Sequence, residues 1–543
     1  MAEDFMTAAV KRVEAQFEKS GVSENCAAFE RKENQIEMRD GVKLHTIYYF
    51  PKEDTAEEKT YPVILTRTCY PGNDRIHRAY GEGLARRGYV YVYQYCRGRE
   101  NSEGKWEPNI NERKDGIDTM NYLVEQPWCE ILGYWGHSYT SMTGWAFADA
   151  AEGKVAAMFL EDYGTDRFTS AYEKGCFRHD ILTAWSMENA EKPVNADYRE
   201  SCRYLPQIEV DEALWGQRVP SYREYITSPN PDAALWQTGW WKQLREIPSK
   251  TKVPIYLLSG WYDHHHGSSM KTWERLNEET KQHSWLEIGA WNHFFQICLE
   301  GKEVMHPQNE EIPKMLEWFE LTLKQKEIPT QRIRAYEIGA DRWIDTVSDG
   351  LGEKGTAGSM TLYLDEKTLR TDTPEQEKTR NYTFDPADPV ESIGGEALLH
   401  TMPQIGSHLQ PESDYREDVL SFVSEPLEET FTLNGKASVR LFVESDCEDT
   451  AFTAKIMEVT PEGKAYNIRS SIATLEQGKT EAGAYEPGSV AEVQITMWNI
   501  VYTIPAGSRI RVDVSSSDFP QYHVHSNQKG LWSENCLLYT SPS

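Results

Sequence analysis

The sequence predicts an α/β domain interrupted by a helical insertion and followed by an all-β domain. Three observations carry this expectation. Up to about residue 330, short apolar runs alternate with helical segments, the pattern of a mostly parallel sheet with right-handed crossovers. Between Glu161 and Thr251 that alternation stops and no strong strand pattern occurs. From about Arg332 onward, short alternating runs are separated by turn signals such as Asn434-Gly435, Pro461-Glu462-Gly463 and Pro505-Ala506-Gly507, the texture of a β-sandwich or jelly roll.

The elements follow in order. Two alternating runs, Gln35–Met38 and Val42–Phe50, flank Asp40-Gly41, a hairpin signal. Pro62–Thr68 reads as an apolar strand, and a helical stretch to Arg87 stops at Gly88. Tyr89–Tyr95 is a second buried strand, rich in Val and Tyr. Glu112–Glu125 puts Ile117, Met120, Leu123 and Val124 on one helical face. That helix stops before Pro127, because a residue ahead of proline is pushed out of α geometry. Ile131–Tyr134 then runs as a strand into Gly136-His137-Ser138, followed by an amphipathic segment from Thr140 to Ala150 and the strand Val155–Leu160.

The stretch 161–251 is too long for a structureless loop inside a compact domain. It contains Trp185, Trp215, Trp236, Trp240 and Trp241 and reads as a helical cap, its tryptophans mainly core. The sheet resumes with the strands Pro254–Gly260 and Ser284–Gly289, and a helix over 313–324 closes the unit. Counting both arms of the hairpin, eight strands are expected, with a serine turn after the fifth. This is the plan of an α/β-hydrolase sheet. The expected domains are therefore 1–160 with 252–330 (catalytic), 161–251 (cap) and 331–543 (C-terminal jelly roll).

Composition excludes several classes. A net charge of −29 over 543 residues, without a concentrated basic face, argues against nucleic acid, whose phosphates would be repelled. Met1–Met6 lacks a basic region followed by an apolar run, so no signal peptide is expected. No apolar stretch nears the roughly 18 residues of a membrane span. Nine scattered cysteines with no Cys-x-x-Cys pair suggest reduced thiols in a cytoplasmic protein.

The chemistry centres on Ser138. A serine at a strand-to-helix corner is held on a sharp turn with its hydroxyl exposed. It needs a base, normally an imidazole oriented by a buried carboxylate. In this fold class the chain order is Ser, then acid, then His. Ser138, Asp263 and His293 have that order, and the last two each follow a strand. Asp263 has a competing reading as a helix cap, and His293 one as a structural histidine. Asp162 is a weaker candidate for the acid. The oxyanion of the tetrahedral intermediate needs donors. The Tyr139 N–H is the expected first donor, and the Tyr70 phenol, in the loop after the strand at 63–68, is a candidate second. His264, His265 and His266 directly follow Asp263. Adjacent side chains rarely converge on one ion, so they are candidates for the substrate pocket and no metal is expected.

These residues, with Met38-Arg39-Asp40-Gly41-Val42-Lys43-Leu44, Arg97-Gly98-Arg99, Gln126-Pro127-Trp128, Gly136-His137-Ser138-Tyr139, Gly260-Trp261-Tyr262-Asp263, Gly289-Ala290-Trp291-Asn292-His293 and Ser516-Ser517-Asp518-Phe519-Pro520, give the chain a resemblance to the CocE/NonD family. That family includes the cocaine-esterase-like enzymes and is related to the X-Pro dipeptidyl-peptidases. The resemblance runs nearly end to end. It implies an α/β-hydrolase domain, a helical cap, a C-terminal jelly roll, Ser138 as nucleophile with Asp263 and His293, and an oxyanion hole of Tyr70 and the Tyr139 amide. Two positions depart from the pattern: Thr140 replaces the second Gly of Gly-x-Ser-x-Gly, and Ser141 stands where relatives carry Gly. The amino-acid ester hydrolases of the family hold a substrate ammonium with a carboxylate cluster. Here His264–His266 occupy the stretch after the acid, which favours a neutral or anionic acyl group.

The expected activity is hydrolysis of a small ester or amide through an acyl-enzyme, without a cofactor. Self-association is left open. The alternatives are an X-Pro dipeptidyl-peptidase and, from another class, a catalytically inactive binding protein.

Overall fold

The computed structural model describes residues 2–52, 59–345, 358–398, 401–402, 404–481 and 483–536. The N-terminal hairpin forms as its Asp-Gly signal predicts: β1 (Ala28–Glu37) pairs antiparallel with β2 (Lys43–Lys52), and Gly41 sits at φ +84°, a conformation that glycine adopts without a Cβ penalty. The strands β3 (Tyr61–Thr68), β4 (Val90–Tyr95), β5 (Cys129–His137), β6 (Val155–Glu161), β7 (Ile255–Gly260), β8 (Trp285–Gly289), β9 (Arg332–Glu337) and β10 (Arg342–Asp345) complete one sheet. Its ten strands lie in the order β1-β2-β4-β3-β5-β6-β7-β8-β9-β10. From β4 to β9 all neighbours are parallel.

The sheet is covered on both faces. Alternation along β3 sends Val63 and Leu65 to one apolar cluster and Ile64 to the other, as the two-residue period of a strand requires. The helix α1 (Ala2–Lys19) lies beside α2 (Asp74–Arg86). On the opposite face α3 (Glu112–Val124) buries Met120 and Leu123, as its spacing predicts. The helix predicted to close the unit, Glu311–Phe319, continues as a π-helical turn to Lys324.

One expectation is corrected. The runs that follow Arg332 begin with β9 and β10, which pair onto the edge of the large sheet. The sheet therefore has ten strands rather than the eight expected.

The insertion between β6 and β7 is a set of short helices, with one two-residue hairpin, Tyr172–Glu173 against Cys176–Phe177. Trp215, Trp236 and Trp241 are buried there, whereas Trp185 is partly open. The C-terminal domain is all β. Its largest sheet has six strands, and two further pairs join Phe431–Gly435 to Ile500–Ile504 and Ser438–Glu444 to Val490–Thr496.

This β domain docks on the loop that follows β7. Arg469, fully buried, donates to Trp261 O at 2.5 Å and to Asn499 O at 2.8 Å, and pairs with Glu396. No helix among the described residues is long and apolar enough to cross a membrane. The nine cysteines form no disulfide.

Candidate active site

The strand β5 ends at His137, and α4 (Tyr139–Trp145) begins one residue after Ser138. Ser138 itself has φ 56° and ψ −125°, a strained conformation for a residue with a Cβ. The corner is held from within. Ser138 N donates to Glu161 O at 3.0 Å, and Ser138 O accepts from Ser141 N at 2.9 Å and Met142 N at 3.1 Å. A Cβ on Gly136 would lie 2.2 Å from Thr140 O, so only glycine fits there. Thr140, the residue that departs from the glycine pattern, is itself a staple. Its hydroxyl accepts from His137 N at 2.6 Å and donates to His137 O at 2.7 Å. Ser141 is buried in the same turn.

Asp263 follows β7, and His293 follows β8. Both loops bring their side chains to Ser138. His293 Nδ1 donates to Asp263 Oδ2 at 2.5 Å, and His293 Nε2 lies 2.9 Å from Ser138 Oγ. Asp263 is fully buried, and its other oxygen accepts the His265 N–H at 2.7 Å. With Nδ1 donating to the carboxylate, Nε2 is left to accept the serine proton. The residue after Ser138 supplies the first N–H of α4, which has no intrahelical acceptor. The Tyr139 side chain is anchored away from it, donating to Glu112 Oε1 at 2.9 Å and accepting from Asn109 N at 2.8 Å.

Tyr70 arrives from the loop after β3. Its phenol interacts with the Ser138 hydroxyl and with Trp185, and burial raises its pKa above the ordinary phenol value. It therefore stays protonated as a donor. A cavity of about 140 Å³ opens beside the corner, bounded in part by Tyr70, His77, Tyr80, His137, Thr140 and Glu311.

The three consecutive histidines part company. The His264 ring lies 4.2 Å from His293 and 4.3 Å from His265, centroid to centroid. His265 Nδ1 is 3.0 Å from Ser170 Oγ. His266 turns the other way. Its Nε2 reaches Asn499 O of the β domain at 3.2 Å, and its ring packs edge-on against Trp261. His266 is thus an interdomain contact rather than a pocket residue, because it opens a helix (His266–Arg275) whose start faces the β domain. Burial, reinforced by neighbouring cationic and imidazole groups, holds all three imidazoles well below their ordinary pKa. They are neutral, so they offer hydrogen bonds and not charge.

Two sets of ligand-type atoms come within 4.8 Å of one another, His137-Asp162-His293 and Asp263-His264-His293. Both depend on His293, whose ring nitrogens are engaged by Asp263 and Ser138. We assign no metal to either.

Sequence reasoning missed three participants. His137 Nε2 lies 2.8 Å from the carbonyl of His293 and so ties the loop of His293 to the serine corner. Trp185 stacks on Tyr139 at 5.9 Å, and Trp106 lies 5.9 Å from Tyr139 and 6.0 Å from Trp185. Only their aromatic character was readable beforehand. Asp162, the alternative acid, is buried 3.6 Å from His137, and neither of its oxygens makes a close hydrogen bond among the described residues.

Residues 40–295 match the family described as X-Pro dipeptidyl-peptidase (S15 family), and residues 329–534 match the X-Pro dipeptidyl-peptidase C-terminal non-catalytic domain. The cocaine esterase of Rhodococcus sp. (strain MB1 Bresler) is 27% identical over 541 residues, covering 91% of this chain and 92% of the relative. Among solved structures, an alpha-amino acid ester hydrolase superposes with a TM-score of 0.80 at 21% identity, covering 96% of this chain and 94% of its own. An aminopeptidase from a marine sediment archaeon, Thaumarchaeota archaeon, superposes with a TM-score of 0.78 at 21% identity, covering 95% and 93%. With both family matches in their expected places along one α/β-plus-β chain, the protein belongs to the CocE/NonD-like serine hydrolases related to the X-Pro dipeptidyl-peptidases.

Proposed function

We propose that this chain hydrolyses an ester or amide acyl bond with Ser138 as nucleophile, His293 as general base and Asp263 as the carboxylate that orients it. The observation that carries this reading is the continuous relay from Asp263 through His293 to Ser138 Oγ, at 2.5 and 2.9 Å, on a strained strand-to-helix corner. As Oγ bonds to the substrate carbonyl carbon, its proton passes to His293 Nε2. The carbonyl electron pair moves onto oxygen, where the Tyr139 N–H and the Tyr70 O–H stabilise it. Collapse expels the alcohol or amine, which takes the proton from His293 and leaves an acyl-Ser138 ester. A water then gives its proton to His293 while its oxygen attacks the acyl carbon. The carboxylic acid departs, and the proton returns to Ser138.

The cap supplies Trp185, which packs beside Tyr70 and Tyr139, and we read the β domain as a jelly roll that backs the loop of Asp263. That none of the nine cysteines is in a disulfide supports a reducing, cytoplasmic location.

A fluorophosphonate probe tests the mechanism. Labelling should map to Ser138, and Ser138→Ala should remove both labelling and turnover. Folded wild-type protein that never labels would instead support an inactive binding protein, and full turnover by Ser138→Ala would overturn the mechanism. Aryl esters set against Gly-Pro and Ala-Pro chromogenic amides separate an esterase from an X-Pro dipeptidyl-peptidase. We expect the esters to be the substrates, because the residues after Asp263 are neutral histidines rather than carboxylates that would hold a substrate ammonium.

A further inference from the structure

Arg167 stands out among the buried cations. It lies in the cap, at the start of the helix Arg167–Ala171, and is only 6% exposed. The other buried arginines each face an acid. Arg67 is 3.6 Å from Glu112, Arg87 3.7 Å from Glu24, Arg178 2.9 Å from Asp180 and Arg511 2.6 Å from Asp513, while Arg469 pairs with Glu396. Arg167 has no such pair among the described residues. Its neighbour Asp166 is engaged by Arg275 at 2.8 Å and by Lys271 at 3.7 Å. What surrounds the guanidinium is aromatic: Tyr225 at 5.2 Å, Trp241 at 5.7 Å and Trp185 at 5.8 Å. Ring faces offset part of a buried positive charge, but a buried ion without a counter-ion remains strongly unfavourable.

The position of this charge gives it a use. Trp185 links Arg167 to Tyr139 and Tyr70, on the oxyanion side of Ser138. On the other side Tyr163 lies beside the guanidinium and 4.9 Å from His265, and His265 leads through His264 to His293. Arg167 is therefore joined through Trp185 to the Tyr70 and Tyr139 side of Ser138, and through Tyr163 to the histidines that lead to His293. Arg167 Nε is buried with no close acceptor among the described residues, and the polar groups that interact with the guanidinium are the phenols of Tyr163 and Tyr225, which bring it no negative charge. The nearby His264 and His265 are neutral and Arg178, which donates to His264 O, is paired with Asp180, so Arg167 is the positive charge there that no acid faces among the described residues.

Given Ser138 as nucleophile, the reading on which this inference rests, we propose that Arg167 determines acyl specificity and that the preferred acyl group ends in a carboxylate, held by the Arg167 guanidinium and the Tyr163 hydroxyl. The substrate class is then the hemiesters or hemiamides of dicarboxylic acids. The substrate carboxylate supplies the counter-ion that the fold withholds.

The test uses full-length enzyme and three methyl esters of matched shape, followed by pH-stat: methyl hydrogen glutarate, its neutral carboxamide isostere methyl glutaramate, and the cationic methyl γ-aminobutyrate. The succinate and adipate hemiesters bracket the chain length. Active sites are first counted with a fluorophosphonate. For the best chain length, kcat/KM should favour carboxylate over carboxamide by about 10- to 100-fold, the range of a charge-assisted buried hydrogen bond, with the cationic ester poorest. In Arg167→Gln the carboxylate-to-carboxamide ratio should fall to near one, mainly through KM, and Arg167→Lys should retain part of it. The ratio is internal to each protein, so a loss of folded enzyme cancels.

Wild-type enzyme that labels at Ser138 and cleaves methyl butyrate, yet shows no carboxylate preference at any chain length, would overturn the inference and leave the hydrolase reading standing. A preference unchanged in Arg167→Gln would assign Arg167 to packing and also overturn it. Absence of both labelling and ester turnover would sink the hydrolase reading, and this inference with it.

Discussion

Replacing Tyr70 by Phe removes a single hydroxyl and keeps the ring that packs edge-on against Tyr139, 6.2 Å away at 71°. In the resting enzyme that hydroxyl interacts with Ser138 and Trp185. In the mechanism proposed above, the tetrahedral intermediate gives it a stronger acceptor, the oxyanion. Its raised pKa keeps it protonated at neutral pH, so the donor is in place before reaction and no reorganisation is needed. Loss of one donor of this kind lowers kcat by about 100- to 1000-fold, or about 3–4 kcal/mol of transition-state stabilisation. The folded state loses far less, about 1 kcal/mol for one hydrogen bond. The assay is kcat on a neutral methyl ester, normalised to sites that react with fluorophosphonate, alongside thermal denaturation. A boronic acid that forms a tetrahedral adduct should lose affinity in parallel with kcat, while binding of the product acid changes little. If Tyr70→Phe keeps kcat within about threefold of wild type, the phenol is not the second donor and the reasoning fails.

Two further outcomes follow from the same corner. Ser138→Gly should unfold at higher denaturant than Ser138→Ala, by about 1 kcal/mol. Relief of the φ 56° strain, about 1–3 kcal/mol, exceeds the extra unfolded-state entropy of glycine, about 0.5–1 kcal/mol; equal midpoints would remove strain from the account. Burial, with Asp263 and Glu311 nearby, raises the Asp162 carboxyl well above its ordinary pKa. The folded state therefore holds that proton more tightly than the unfolded chain does. The associated stability is complete below the unfolded pKa and is lost as pH rises through the folded one. Asp162→Asn should accordingly gain stability over wild type on going from about pH 4 to about pH 8, and an offset equal at both would refute this.

The serine corner and its partners were legible because each sits at a strand exit, and strand exits are written in local apolar runs. Ser138, Asp263 and His293 needed only chain order to be linked. His264, His265 and His266 show where such reading stops. Three consecutive residues entering a helix point in directions about 100° apart, so adjacency in sequence could not say that the third would meet Asn499 instead of the serine. Arg167 and Trp185 were opaque for a different reason. They belong to a cap whose short helices carry no periodicity strong enough to say which side chain turns inward. The strands β9 and β10 escaped the count of eight because edge strands of an α/β sheet and strands of a β domain share the same alternating pattern, and only pairing distinguishes them.

The docking of Arg469 on Trp261 O, of Arg178 on His264 O at 3.2 Å and of His266 on Asn499 O has a consequence for how this enzyme loses activity. The backbone that presents Asp263 is held by groups from three regions of the chain: the sheet, the cap and the β domain. Loosening of the β domain would release the acid while the ten-stranded sheet stays intact. Thermal inactivation should then precede the main calorimetric transition. Improvements to the seam around Arg469 would lengthen working life more than improvements to the apolar interior.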